Sequence, residues 1–112
     1  MAITQAPVSE LLVIAKSREI QRGIFAEMSK KPEMAAPHFL AAAHLELVLA
    51  DDYAAAGQQR LAYRCKISAA SCLWRGGEIK RARALFNAIR KEYPGKAKFI
   101  KSTVAELEGK PA

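Results

Sequence analysis

Apolar side chains return every three or four residues along almost the whole chain, the period of an α-helix, and no stretch alternates β-branched with polar residues as a strand would. This single regularity makes the expected fold class all-α, with proline and glycine as the punctuation between about five helices. The cleanest stripe is Ile79, Ala82, Phe86, Ile89 and Tyr93, which defines a helix from Glu78 to about Tyr93, ended by Pro94 and Gly95. Upstream, Val13, Ile20, Ile24 and Met28 predict a first helix from about Val8 to Lys30, stopped by Lys30, Lys31 and Pro32. A second helix is expected to start near Pro37, a residue suited to the first helical position, and to bury Phe39, Leu40, Ala43, Leu47 and Ala50.

Asp51 and Asp52 read as the N-cap and first-turn acid of a third helix running from Tyr53 to Arg75, because carboxylates accept the orphan N–H groups of a helix start. That helix carries two apolar stripes, Leu61, Cys65, Ala69 and Cys72 on one side and Tyr63, Ile67, Ala70 and Trp74 on another, so it belongs in the middle of the fold. Gly76 and Gly77 end it, since glycine takes the left-handed conformation at a helix C-terminus without steric cost. A last helix from about Lys96 to Glu108 presents Ala97, Ile100, Val104 and Leu107, and Gly109 to Ala112 form a loose tail.

The 112 residues fit one domain, and 51% hydrophobic with 26% charged residues supply a core and a solvated surface. No apolar run approaches the ~20 residues that span a bilayer, and Met1 to Glu10 lacks a basic stretch followed by an apolar core, so a cytoplasmic protein without a membrane partner is expected. Cys65 and Cys72, seven residues apart on one helix, stand about 10 Å apart along its axis and cannot bridge each other. They read as packing residues of a reducing compartment.

His38 and His44, six residues apart, lie on separated faces of one helix, unlike the i, i+4 pair of a zinc helix. The Gly76–Gly77 pair follows no strand and belongs to no longer glycine pattern, which argues against a nucleotide loop. With no nucleophile elbow, Walker lysine loop or C-x-x-C in the chain, neither an enzyme nor a bound cofactor or metal is expected.

Ala70, Gly77, Ala82, Phe86 and Pro94 fall at the spacing of a tetratricopeptide repeat, with a small residue in a first helix, a turn glycine, Ala-x3-Phe in a second helix, then proline. The span of about residues 63–96 resembles one such repeat, although Lys66 and Ile89 stand where the family favours Trp and Ala. Asp51 to Ala56 looks like the turn and second-helix start of an earlier, degenerate unit fused to the next. The resemblance implies a TPR-like bundle of antiparallel helical hairpins, whose first helices line a groove. Here the groove residues would be Arg64, Ile67, Ser71, Trp74 and Arg75, a set suited to an extended acidic peptide, with Ile67 and Trp74 equally readable as core.

The chain carries +7, and residues 76–101 hold eight cations against two acids, a net +6, whereas residues 36–59 hold Glu46, Asp51 and Asp52 and no Lys or Arg. On the fourth helix Lys80, Arg83, Asn87 and Lys91 follow each other along one flank. The leading expectation is a small protein-interaction module. Its rivals are a binder of nucleic acid or another anionic polymer through that basic flank, and a structural subunit whose exposed apolar helix edge closes by homodimerisation.

Overall fold

Among the described residues, 5–109, of the computed structural model, five α-helices follow one another without a strand: α1 (Gln5–Met28), α2 (Pro32–Ala55), α3 (Gln59–Arg75), α4 (Ile79–Glu92) and α5 (Ala97–Leu107). A 3-10 turn, Pro94–Lys96, links the last two. Side chains are described from Glu10 to Gly109. Met1 to Thr4 and the end of the expected tail, Lys110 to Ala112, lie outside the described residues.

The first three connections share one geometry. The second residue after each helix is left-handed, Lys30 at φ 58°, Gly57 at 76° and Gly77 at 86°. The N–H that follows reaches back five residues, from Lys31 to the Ala26 carbonyl at 2.9 Å, Gln58 to Tyr53 at 2.8 Å and Glu78 to Leu73 at 2.9 Å. This is the Schellman motif, which satisfies orphan carbonyls while reversing the chain. The reversal is visible in the cross-helix pairs: Lys16 meets Glu46 while Glu19 meets His38, and Lys66 meets Glu92 while Arg83 meets Trp74. Each helix therefore runs antiparallel to its predecessor, α1 on α2, α2 on α3 and α3 on α4, with α5 against α3 and α4.

Two boundaries differ from the sequence reading. Helix α2 begins at Pro32, which takes the favoured first-turn position, and Pro37 lies inside the helix with its ring exposed. Helix α2 then runs through Asp51 and Asp52 to Ala55, so these acids cap nothing, and the break falls at Ala56–Gln58 instead of before Tyr53. The reason is packing. Leu49 and Ala50 are buried and Tyr53 is half-buried on one continuous stripe, while both aspartates point to solvent. The supposed second-helix start at Asp51–Ala56 is the end of α2.

The interior is built from small residues that let helices approach. Phe39 is wholly buried beside Ala26, Ala35, Ala42 and Ala43, and a second centre joins Ala70, Phe86, Ile89 and Ile100. Leu49, Ala50 and Cys65 form a third, against which Leu12, Val13 and Tyr53 pack. The molecule extends 46 × 33 × 19 Å, and its short dimension is about two helix diameters.

Candidate functional site

Helices α1 and α3 lie on the same side of α2 and leave a cleft between them. It is a cavity of about 350 Å³ lined by Val13 and Lys16 of α1, Glu46, Leu49 and Tyr53 of α2, and Leu61, Arg64, Cys65 and Ser68 of α3. The floor holds the fully buried carboxylate of Glu46, bonded through Oε2 to Lys16 Nζ at 3.3 Å, while Oε1 has no hydrogen-bond partner among the described residues. An ion pair taken out of water is costly unless its remaining lone pairs are met, so this floor is polar ground inside an otherwise apolar contact. Burial first, and the negative charge of Glu46 second, push the thiols of both Cys65 and Cys72 up to about 11. These thiols stay protonated at neutral pH and behave as packing groups.

The sequence-predicted groove residues do not form one set. Arg64 is exposed on the rim of the cleft, with no acidic partner among the described residues. Arg75, in contrast, is engaged: its Nη2 donates to Glu27 Oε1 at 2.6 Å and its guanidinium lies 4.3 Å from the Phe39 ring centre. Trp74 is half-buried, packs against both the Phe39 and Phe86 centres, and is covered by the guanidinium of Arg83 at 4.6 Å. Ile67 packs against the Phe86 centre, and Ser71 is half-buried beside it in the helix. The groove face of α3 thus keeps Arg64 available and commits Trp74 and Arg75 to the fold.

The basic flank is divided in the same way. Arg83 donates to Glu108 Oε2 at 2.8 Å in addition to covering Trp74, so it ties α4 to the end of α5. Lys80 and Lys91 remain exposed. Neither histidine joins a metal set: His38 Nδ1 donates to Glu19 Oε2 at 2.7 Å, and His44 Nδ1 donates to the Leu40 carbonyl at 2.8 Å. Among the described residues no group of three or more His, Cys, Asp or Glu side chains is placed to hold a metal ion.

Two features escaped the sequence reading. Glu46 continues the buried row Phe39, Ala43, Ala50 at helical spacing, so a carboxylate on a buried stripe was legible, whereas its partner Lys16, thirty residues away, was not. The second is the outer side of the α1/α2 hairpin, where a groove of about 640 Å³ runs between Arg18, Arg22 and Phe25 on α1 and Lys31, Met34 and His38 around the start of α2. No family model matches the chain, and neither a curated protein nor a solved structure matches it.

Proposed function

We propose that this chain is a small TPR-like interaction module that receives an extended acidic segment of another protein in the cleft between α1 and α3. The observation that carries the reading is Arg64, a solvent-facing guanidinium with no acidic partner among the described residues, standing on the rim of the cavity between α1 and α3. A guanidinium offers a planar fork that matches a carboxylate with two parallel hydrogen bonds, and it contributes most where one side is shielded from water. Leu61, Leu49 and Val13 supply the apolar walls of such a half-shielded site.

The test is a fluorescence-anisotropy titration of dye-labelled extended acidic peptides against the wild type and Arg64→Glu. Wild-type binding weakened at least about tenfold in the variant, one lost charge-assisted contact being worth ~1.5 kcal/mol or more, is the expected result. The melting temperature should stay unchanged, because Arg64 has no ion-pair partner among the described residues. Equal binding by both proteins, or no binding of any acidic peptide, overturns the reading. Arg75→Glu is unsuited to this purpose, since it loses the bond to Glu27 and places a carboxylate against it.

A further inference from the structure

One face of α1 has no cover among the described residues. Leu11, Ile14, Arg18, Gln21, Phe25 and Met28 follow each other at steps of three, four, three, four and three residues, and all six are exposed. These are the steps of the a and d positions of a heptad seam. The apolar members are open to an unusual degree, Leu11 at 67%, Ile14 at 47%, Phe25 at 72% and Met28 at 76%. A row of this kind, about 25 Å long at 1.5 Å per residue, marks a contact surface; Met34, Val48 and Phe99 are exposed as well but stand on other helices, outside the row.

We propose that a second copy of this chain covers the seam, α1 packing antiparallel on α1 about a twofold axis that passes between Glu19 and Ile20. The order of side chains carries the choice. From either end the row runs apolar, apolar, polar, polar, apolar, apolar. Reversing one copy therefore places Leu11 on the partner's Met28, Ile14 on the partner's Phe25, and Arg18 on the partner's Gln21. The guanidinium donors of Arg18 then meet an amide carbonyl, whereas a parallel pairing sets Arg18 against the partner's Arg18 in the same layer. Arg22, beside the seam, is already neutralised by Glu19 at 2.7 Å and opposes the contact little.

An isologous contact of this type closes at two copies. The four apolar side chains expose on the order of 500 Å² per copy, and Ile24 and the flanking polar residues carry the contact toward the ~800 Å² per partner of a standard interface. Because Arg18 and Lys16 project from opposite sides of α1, pairing leaves the α1/α3 cleft open, and this inference is independent of the proposed function.

Sedimentation of the full chain across a concentration series tests it. The wild type should reach twice its 12.3 kDa mass, and Phe25→Glu with Met28→Glu should raise the dissociation constant of the dimer at least ~100-fold. Both side chains are exposed, so the helical circular-dichroism signal should not change. Orientation is read by mild oxidation. Leu11→Cys mixed with Met28→Cys should cross-link, and Leu11→Cys alone should not, because an antiparallel seam holds its two copies about 25 Å apart. The native Cys65 and Cys72 are buried and stay out of the reaction. A single-copy mass at every concentration, a dimer that survives the double glutamate variant, or self-cross-linking of Leu11→Cys overturns the proposal; the first of these would assign the seam to a different protein's helix.

Discussion

At Gly23 the backbone of α1 packs directly against the Phe39 ring of α2. A Cβ built there would stand 2.8 Å from two ring carbons of Phe39, which is wholly buried and has no room to swing aside. Alanine in a helix interior gains about 1 kcal/mol over glycine, while forcing a methyl into a filled contact costs roughly 1–3 kcal/mol. Gly23→Ala should therefore lower stability by about 1 kcal/mol in urea melts, against the direction that helix propensity alone gives. At the other centre Phe86 is 1% exposed and meets Ala70, Ile89 and Ile100. Phe86→Ala should cost roughly 3–5 kcal/mol, because the lost volume leaves a cavity bounded by three helices. A thermal melt of the variant matching wild type would remove Phe86 from the core. No residue-scale rule exposes Gly23 in advance, since its neighbour Phe39 is sixteen residues away and on another helix.

Elements show where local rules ranked correctly and where packing outweighed them. Gly57 and Gly77 occupy the left-handed position of their turns, and Lys30 occupies the same position with a Cβ to accommodate. A left-handed non-glycine residue costs roughly 1–2 kcal/mol, so Lys30→Gly should stabilise the chain by about 1 kcal/mol, seen as a higher urea midpoint with an unchanged slope. Asp51 and Asp52 illustrate the opposite outcome. Carboxylates near a helix C-terminus lose a few tenths of a kcal/mol to the macrodipole, less than burial of Leu49 and Ala50 returns, and the helix runs on beneath them.

The α1–α2 contact also carries a titratable tie. The hydrogen bond from His38, opposed by burial and assisted by Arg22, holds the carboxyl of Glu19 below its usual value. A depressed carboxyl contributes stability that is complete above the unfolded-state value near 4.5 and is lost as pH falls through the folded value. Between pH 5 and 3 the melting temperature of wild type should fall more than that of Glu19→Gln, and parallel curves would show that the tie does not titrate with folding.

At the scale of the whole molecule, the helices form a sequential stack, each packed on its predecessor, with α1 at one end and α4 and α5 at the other. Cys65 and Cys72 sit in the middle, on the α3 surface that faces α2. Their thiols are raised to about 11 by burial and by Glu46, so a disulfide reagent should react slowly with Cys65 at the wall of the α1/α3 cleft and should reach Cys72 only when the α2–α3 contact opens. Labelling of Cys72 should be slow in native buffer and should track global unfolding across a urea series. Fast labelling of Cys72 without denaturant would show that the middle of the stack opens locally. Charge follows the same axis: the basic segment 76–101 lies at the α4/α5 end, where Arg83 and Lys66 are drawn into ion pairs with Glu108 and Glu92.

The sequence by itself determined the all-α class, the core positions of α4 and the turn at Gly77, because each follows from contacts or conformations within a few residues: the stripe from Ile79 to Ile89, and a glycine free to adopt φ 86°. Only the tertiary structure decided that the aspartates belong to the end of α2 and not to the start of α3, that Arg75 and Arg83 serve the fold while Arg64 stays available, and that Glu46 meets Lys16. Those outcomes depend on pairs from 25 to 48 residues apart, brought together by the order in which helices stack. Periodicity along one helix reports which face is buried, and carries no information on which other helix will bury it.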